Sequence, residues 1–132
     1  MTFVDTSAWY AALVPGDQHH HRANAWLKAY PGRLLTTDYV IDETLTLLRS
    51  RGQGDTALDW GATMFGPNSP SAVRFLTPAD IADAWDLFRQ FVDKDWSFTD
   101  CTSKAIIEAL GIATAFSFDH HFRQFGTVAV VP

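Results

Sequence analysis

The sequence predicts a single α/β domain, residues 1–132, built on a central parallel sheet of about five strands with helices on both faces. Two observations predict it. Short apolar, β-tolerant runs alternate along the whole chain with segments whose apolar residues recur at three- and four-residue spacing. The length of 132 residues also matches one domain, usually roughly 100–150 residues, and no linker, repeat or low-complexity tract divides it.

Phe3-Val4 is the first strand and ends at Asp5; Trp9 to Val14 continues with helical spacing until Pro15-Gly16-Asp17 breaks it. Asp17 is expected to cap a helix running to about Tyr30, with Ala23, Trp26, Leu27 and Tyr30 on one face. Leu34-Leu35-Thr36-Thr37 is the second strand. Asp38 is the expected cap of the next helix, whose apolar face holds Val40, Ile41, Thr44, Leu45, Leu47 and Leu48 and which Gly52 and Gly54 end. A further helix, Asp55 to Phe65, closes at the loop Gly66-Pro67-Asn68-Ser69-Pro70.

Ala72 to Leu76 alternates as a third strand, and Thr77-Pro78-Ala79-Asp80 is a helix start with cap, proline and acid in order. In that helix Ile81, Ala84, Trp85, Phe88, Phe91 and Val92 recur at helical spacing, and Trp85, Phe88 and Phe91 read as core or dimer seam before a base-stacking platform. Thr99-Asp100 opens another helix, with Thr99 as cap and Gly111 as terminator. Ile112 to Phe118 is the fourth strand, ending at Asp119, and Val128 to Val131 is the fifth.

Composition narrows the function. The net charge is −5, the wrong sign for a protein that grips nucleic acid through a broad basic face, so any such role must reside in a local site. Charged residues make up 19%, below the usual quarter, which leaves surface for a partner. The single cysteine, Cys101, excludes an internal disulfide and fits a reducing compartment. No apolar run approaches the ~20 residues needed to span a bilayer, and Met1-Thr2-Phe3-Val4-Asp5 opens without a basic leader. A soluble, cytoplasmic protein is expected.

The acids carry the chemistry. Asp5 and Asp119 each end an apolar strand, Asp100 lies in the first turn of a helix, and Glu43 lies early in the helix after the second strand. Open parallel sheets bind ligands at the carboxyl ends of their strands, the edge where the following helices begin. Four carboxylates therefore converge along one edge. Each has an ordinary reading alone: an Asp in a first turn complements the helix dipole, and a surface Glu is simply solvated. Together they repel, unless a cation lies among them. An all-oxygen set suits Mg²⁺ or Mn²⁺ rather than zinc.

With these acids in place, four segments resemble the motifs of PIN-domain ribonucleases of the VapC toxin type. They are Phe3-Val4-Asp5-Thr6-Ser7-Ala8-Trp9, Thr36-Thr37-Asp38-Tyr39-Val40-Ile41-Asp42-Glu43-Thr44, Ser97-Phe98-Thr99-Asp100-Cys101-Thr102-Ser103 and Ala115-Phe116-Ser117-Phe118-Asp119-His120-His121-Phe122. The likeness is ordered and spans nearly the whole chain. It implies a PIN-like domain, a homodimer, a cognate antitoxin, and Mg²⁺- or Mn²⁺-dependent endonucleolytic cleavage of RNA such as tRNA or another structured RNA, leaving a 5′-phosphate and a 3′-hydroxyl. By that likeness Asp5, Glu43, Asp100 and Asp119 are the metal-holding catalytic acids, and Thr6 or Ser7 supplies a hydroxyl near metal or phosphate. Asp42 competes with Glu43, because helix neighbours point about 100° apart and only one can enter the site.

Other residues have two readings each. Lys104 and Arg123, one helical turn after Asp100 and Asp119, either contact phosphate or pair with those acids at the surface. Arg49 and Arg51 favour the end of their helix. His19-His20-His21 read as a solvated helix start rather than metal ligands, because adjacent residues on a helix diverge, though His20 could approach RNA from the rim; His120 and His121 either touch phosphate or belong to a capped turn. Cys101 reads as a packing residue. Two rival functions remain: a PIN-like fold that binds RNA or protein without cleaving it, and an aspartyl-phosphate hydrolase. The second usually places an Asp two residues after the first acid, where this chain has Ser7.

Overall fold

The computed structural model describes residues 1–132 as β1 (Thr2–Val4), α1 (Thr6–Leu13), α2 (His20–Ala29), β2 (Leu34–Thr37), α3 (Asp38–Ser50), α4 (Gly54–Met64), β3 (Ala72–Arg74), α5 (Pro78–Gln90), α6 (Phe98–Ala109), β4 (Thr114–Phe116), a 3-10 helix (His120–Phe125) and β5 (Ala129–Val131). The five strands form one sheet in the order β3-β2-β1-β4-β5, and every neighbouring pair is parallel. The fold is the expected single α/β domain.

The strands are only three or four residues long, and burial compensates for their shortness. Phe3, Val4, Ala115 and Phe116 are completely buried, as befits central strands covered on both faces. Ile41 and Leu48 from α3, Ile106 from α6 and Phe122 from the 3-10 helix complete this core. The chain steps outward from β1 to β3, then crosses back to lay β4 on the other side of β1. That reversal makes the β1/β4 boundary a topological switch point, where a crevice opens at the carboxyl ends of the strands. Val4 lies opposite Phe116, and the Asp5 amide extends the ladder by donating to the Phe116 carbonyl (3.1 Å).

Several helix starts differ from expectation, for one recurring reason: the cap is the residue whose side chain reaches back to the amide three positions on. Thr37, not Asp38, caps α3, its hydroxyl accepting from the Val40 amide (3.1 Å), while Asp38 accepts from the Leu76 amide (3.0 Å) and ties β3 to α3. Ser97, not Thr99, caps α6. Asp17 holds the His19 amide (2.8 Å) ahead of α2, which starts at His20 without a side-chain cap. Thr77 and Asp80 form the expected reciprocal capping box of α5.

β4 is shorter than Ile112 to Phe118. Gly111 adopts φ +63° and the Ile112 amide returns to the Ile107 carbonyl (2.9 Å), so Ile112 finishes the turn off α6. Ser117 and Phe118 leave the sheet to meet Asp5 and Ser7. For two residues of the α5 stripe the core reading is corrected: Trp85 and Phe88 stack on each other (5.9 Å) but are 52% and 39% exposed, so they lie outside the core of this chain.

Candidate active site

Asp5 is the N-cap of α1, immediately after the buried strand β1, and is 3% exposed. One oxygen, Oδ2, accepts three hydrogen bonds: from the Ser7 hydroxyl (2.8 Å), the Ser7 amide (3.3 Å) and the Ser117 hydroxyl (3.0 Å). The other oxygen, Oδ1, has no protein partner. Burial pushes the Asp5 carboxyl up to about 7; the Ser7 and Ser117 hydroxyls hold it down, and Asp100 and Asp119 raise it further.

Asp100 arrives by a different route. It is the third residue of α6, in a capping box with Ser97: its amide donates to the Ser97 hydroxyl (3.0 Å), and its Oδ2 accepts from the Ser97 amide (3.1 Å). The same Oδ2 lies 3.0 Å from Nδ1 of His121. Here too Oδ1 has no protein partner. Burial raises this carboxyl and Asp119 adds to the shift, while the Ser97 amide and His121 oppose it.

Asp119 caps the 3-10 helix by accepting from the His121 amide (2.9 Å), and its own amide donates to the Ser117 hydroxyl (3.0 Å). Ser117 therefore joins the ends of β1 and β4 by serving both acids. Glu43 is half-buried in the second turn of α3, and Asp42 beside it is exposed. Burial raises the Glu43 carboxyl, the nearby Thr6 hydroxyl opposes the shift, and Asp100, Asp119 and Asp42 add to it. The four acids named from the sequence thus come together at the β1/β4 crevice, drawn from four separate elements.

The remaining predicted residues divide. Ser7 is committed to positioning, since its hydroxyl donates to Asp5 and accepts from the Phe118 amide (2.9 Å). Thr6 is not: its buried hydroxyl lies close enough to the Glu43 carboxyl to hold it down but closes no hydrogen bond of full geometry. Arg123 is exposed and pairs with no acid. Lys104 corrects both of its readings. It is 4% exposed, and its ammonium goes to the Glu108 carboxylate and the Phe125 carbonyl (3.2 Å), one turn further from Asp100. The Phe91 and Phe125 rings enclose that ammonium and draw it inward. Cys101 is buried, with its thiol pushed up to about 11 by desolvation, as expected of a packing residue.

Sequence reasoning gave Ser117 no role and left His121 undecided. A serine two residues before a strand-ending acid is the only local signal for Ser117. For His121 the signal is its place two residues after Asp119. Asp119, His120 and His121 bring their ligand atoms within 4.8 Å of one another.

These residues fit a divalent cation. Two buried carboxylates each keep one oxygen unpartnered, a buried hydroxyl closes no hydrogen bond, and burial together with mutual repulsion raises three of the acids. Oxygen donors with one imidazole at the edge make a set suited to a hard divalent cation. A cleft of about 530 Å³ between α3 and α4, lined by Leu45, Arg49, Leu58 and Phe65, carries no carboxylate. Glu43 lines a smaller depression instead, together with Asp42, Thr46 and Thr99.

Comparison with known proteins identifies the family. The PIN domain family model matches residues 2–128. The chain is 34% identical to the 23S rRNA-specific endonuclease VapC20 of Mycobacterium tuberculosis, over 100% of this chain and 99% of that protein. The crystal structure of M. tuberculosis VapC20, a Sarcin-Ricin loop cleaving toxin, superposes with a TM-score of 0.92 at 32% identity over the whole of both chains. FitAcB from Neisseria gonorrhoeae (TM-score 0.69, 17% identity) and a toxin–antitoxin complex from Klebsiella pneumoniae (0.66, 15%) share the fold, each over 100% of this chain and 97% of theirs.

Proposed function

The chain belongs to the PIN-domain family, and from that premise we propose that it is a divalent-metal-dependent endoribonuclease, the toxin of a toxin–antitoxin pair. The observation that carries the reading is the convergence of Asp5, Glu43, Asp100 and Asp119 with Oδ1 of both Asp5 and Asp100 left without a protein partner. The resemblance to VapC20 directs the substrate toward structured ribosomal RNA, with an antitoxin as the partner that restrains it and a second copy of the chain as a further partner.

Asp5 and Asp100 would hold the cation directly, with Glu43 and Asp119 beside them. When bound, Mg²⁺ or Mn²⁺ supplies positive charge for a phosphate oxygen and a water of lowered pKa. The protein's part is orientation. Ser7 and Ser117 pin Asp5 through one oxygen so that the other points into the crevice. Ser97 and His121 do the same for Asp100. The Thr6 hydroxyl is placed to donate to an oxygen that enters, and the cation's charge reverses the negative sign of the site so that an acidic protein can receive RNA.

The test is cleavage of a synthetic hairpin carrying the sarcin–ricin loop sequence, with Mg²⁺ or Mn²⁺ and with chelator. Cleavage that requires the cation and disappears in Asp5→Asn supports the reading. Cleavage that survives chelation, or none with either cation, overturns it. Mapping new 5′ ends in cells after induction identifies the RNA.

A further inference from the structure

The histidine triplet resolves into separate roles. His20 is structural, its Nδ1 lying 2.8 Å from the Ala11 carbonyl at the end of α1. His19 is different: its ring stacks on Phe118 almost perfectly parallel, with centroids 4.4 Å apart and planes 2° apart. Phe118 immediately precedes Asp119, and its amide is held by the Ser7 hydroxyl that also holds Asp5. The ring pair is therefore one residue from one acid and two hydrogen bonds from another. Neither ring is fully buried.

The guanidinium of Arg22 sits 6.0 Å from the centroid of the Phe118 ring, on an exposed side chain that also donates to the Pro132 backbone oxygen (3.2 Å). It meets no carboxylate side chain. Beside the acid cluster, then, the fold presents two flat rings and an exposed guanidinium. A nucleotide offers the matching pair of features, a π-face and a phosphate. RNA-binding proteins use such rings as platforms for unpaired bases, sequence-tolerantly because every base has a π-face.

We propose that His19, Phe118 and Arg22 form an RNA subsite on the rim of the carboxylate cluster, in which the stacked rings hold an unpaired base next to the scissile position and Arg22 takes a neighbouring phosphate. The subsite rests on the ribonuclease reading and adds to it a preference for single-stranded loops over continuous duplex. An extended stack needs a splayed base, and a base paired within an A-form helix cannot leave its stack without cost.

The test measures binding of the sarcin–ricin-loop hairpin and of a fully paired duplex of equal length to the full chain carrying Asp5→Asn, which prevents turnover. The parent is expected to favour the hairpin. His19→Ala and Phe118→Leu should each weaken hairpin binding by about tenfold, the loss of one stacked base, with the duplex little changed. Arg22→Ala should weaken both RNAs and lower the slope of log affinity against log salt by about one, with Arg22→Lys restoring the slope. Phe118→Trp, which keeps a flat ring, should recover the hairpin preference, an outcome a merely structural role does not produce. Thermal unfolding of each variant identifies any that fail to fold, and Arg22→Ala, on an exposed side chain, keeps the test intact if the Phe118 variants do. Undiminished hairpin binding in all three variants overturns the subsite alone. A parent that binds neither RNA overturns the ribonuclease reading and the subsite together.

Discussion

Nδ1 of His121 lies 3.0 Å from Oδ2 of Asp100 and 3.5 Å from Oδ1 of Asp119, so one imidazole stands between the two acids that α6 and the 3-10 helix bring to the crevice. The ring is 17% exposed and cannot trade this contact for bulk water. It orients Asp100 in the way that hydrogen bonds around a metal site orient the ligands themselves.

His121→Ala is therefore expected to weaken Mn²⁺ binding about 10–100-fold, measured by calorimetry. Its metal-free unfolding midpoint should also fall, because the two carboxylates then face each other without an intervening donor. Added Mn²⁺ should shrink that difference. Unchanged Mn²⁺ affinity would remove His121 from the site.

The elevated pKa of Asp5 makes a prediction about stability. Its folded value, about 7, exceeds the ordinary 3.8, so the folded state binds this proton more tightly than the unfolded chain does. Stability from this group is whole below 3.8 and is eroded as pH rises to about 7. The erosion is at most ~4 kcal/mol in the absence of a cation. Asp5→Asn should therefore raise the unfolding midpoint in chelator at pH 7 and flatten its pH dependence, while abolishing cleavage. A variant that tracks the parent across this pH range contradicts the assignment.

Glu43 and Asp42 are adjacent but not equivalent. Glu43 faces the cluster, and Asp42 faces solvent. Glu43→Gln should reduce cation-dependent RNA cleavage about 10–100-fold, and Asp42→Asn should leave it near the parent rate. Equal losses in single-turnover assays would refute the distinction.

Lys104 should prove structural. Lys104→Met strips Glu108 and the Phe125 carbonyl of their shared donor, at a cost of about 1–3 kcal/mol, measured by urea unfolding. RNA cleavage per folded molecule should be retained. A loss of RNA affinity without a loss of stability would return Lys104 to the phosphate-binding residues.

Much of this fold was legible before any coordinates. The strand-then-helix alternation and the acids after Val4 and Phe118 are local features, set by side-chain periodicity and by which residues tolerate a strand end. Their meaning follows from the rule that parallel sheets present ligands at one edge. Cap identity was less legible: Thr37 and Ser97 each stand one or two residues before the expected cap. In both segments several neighbouring residues can cap, and the backbone angle at the cap decides among them.

The sequence by itself determined that four carboxylates share one edge of a parallel sheet, because backbone periodicity and strand ends are encoded within a few residues. Only the tertiary structure decided that Glu43 rather than Asp42 faces them, that Lys104 turns inward to Glu108, and that Oδ1 of Asp5 and Asp100 stays without a protein partner. Those outcomes depend on distances between segments remote along the chain. Asp5 and Ser117 are 112 residues apart in sequence and 3.0 Å apart in space, and a hydrogen bond that falls off within a fraction of an ångström is decided by that second number alone.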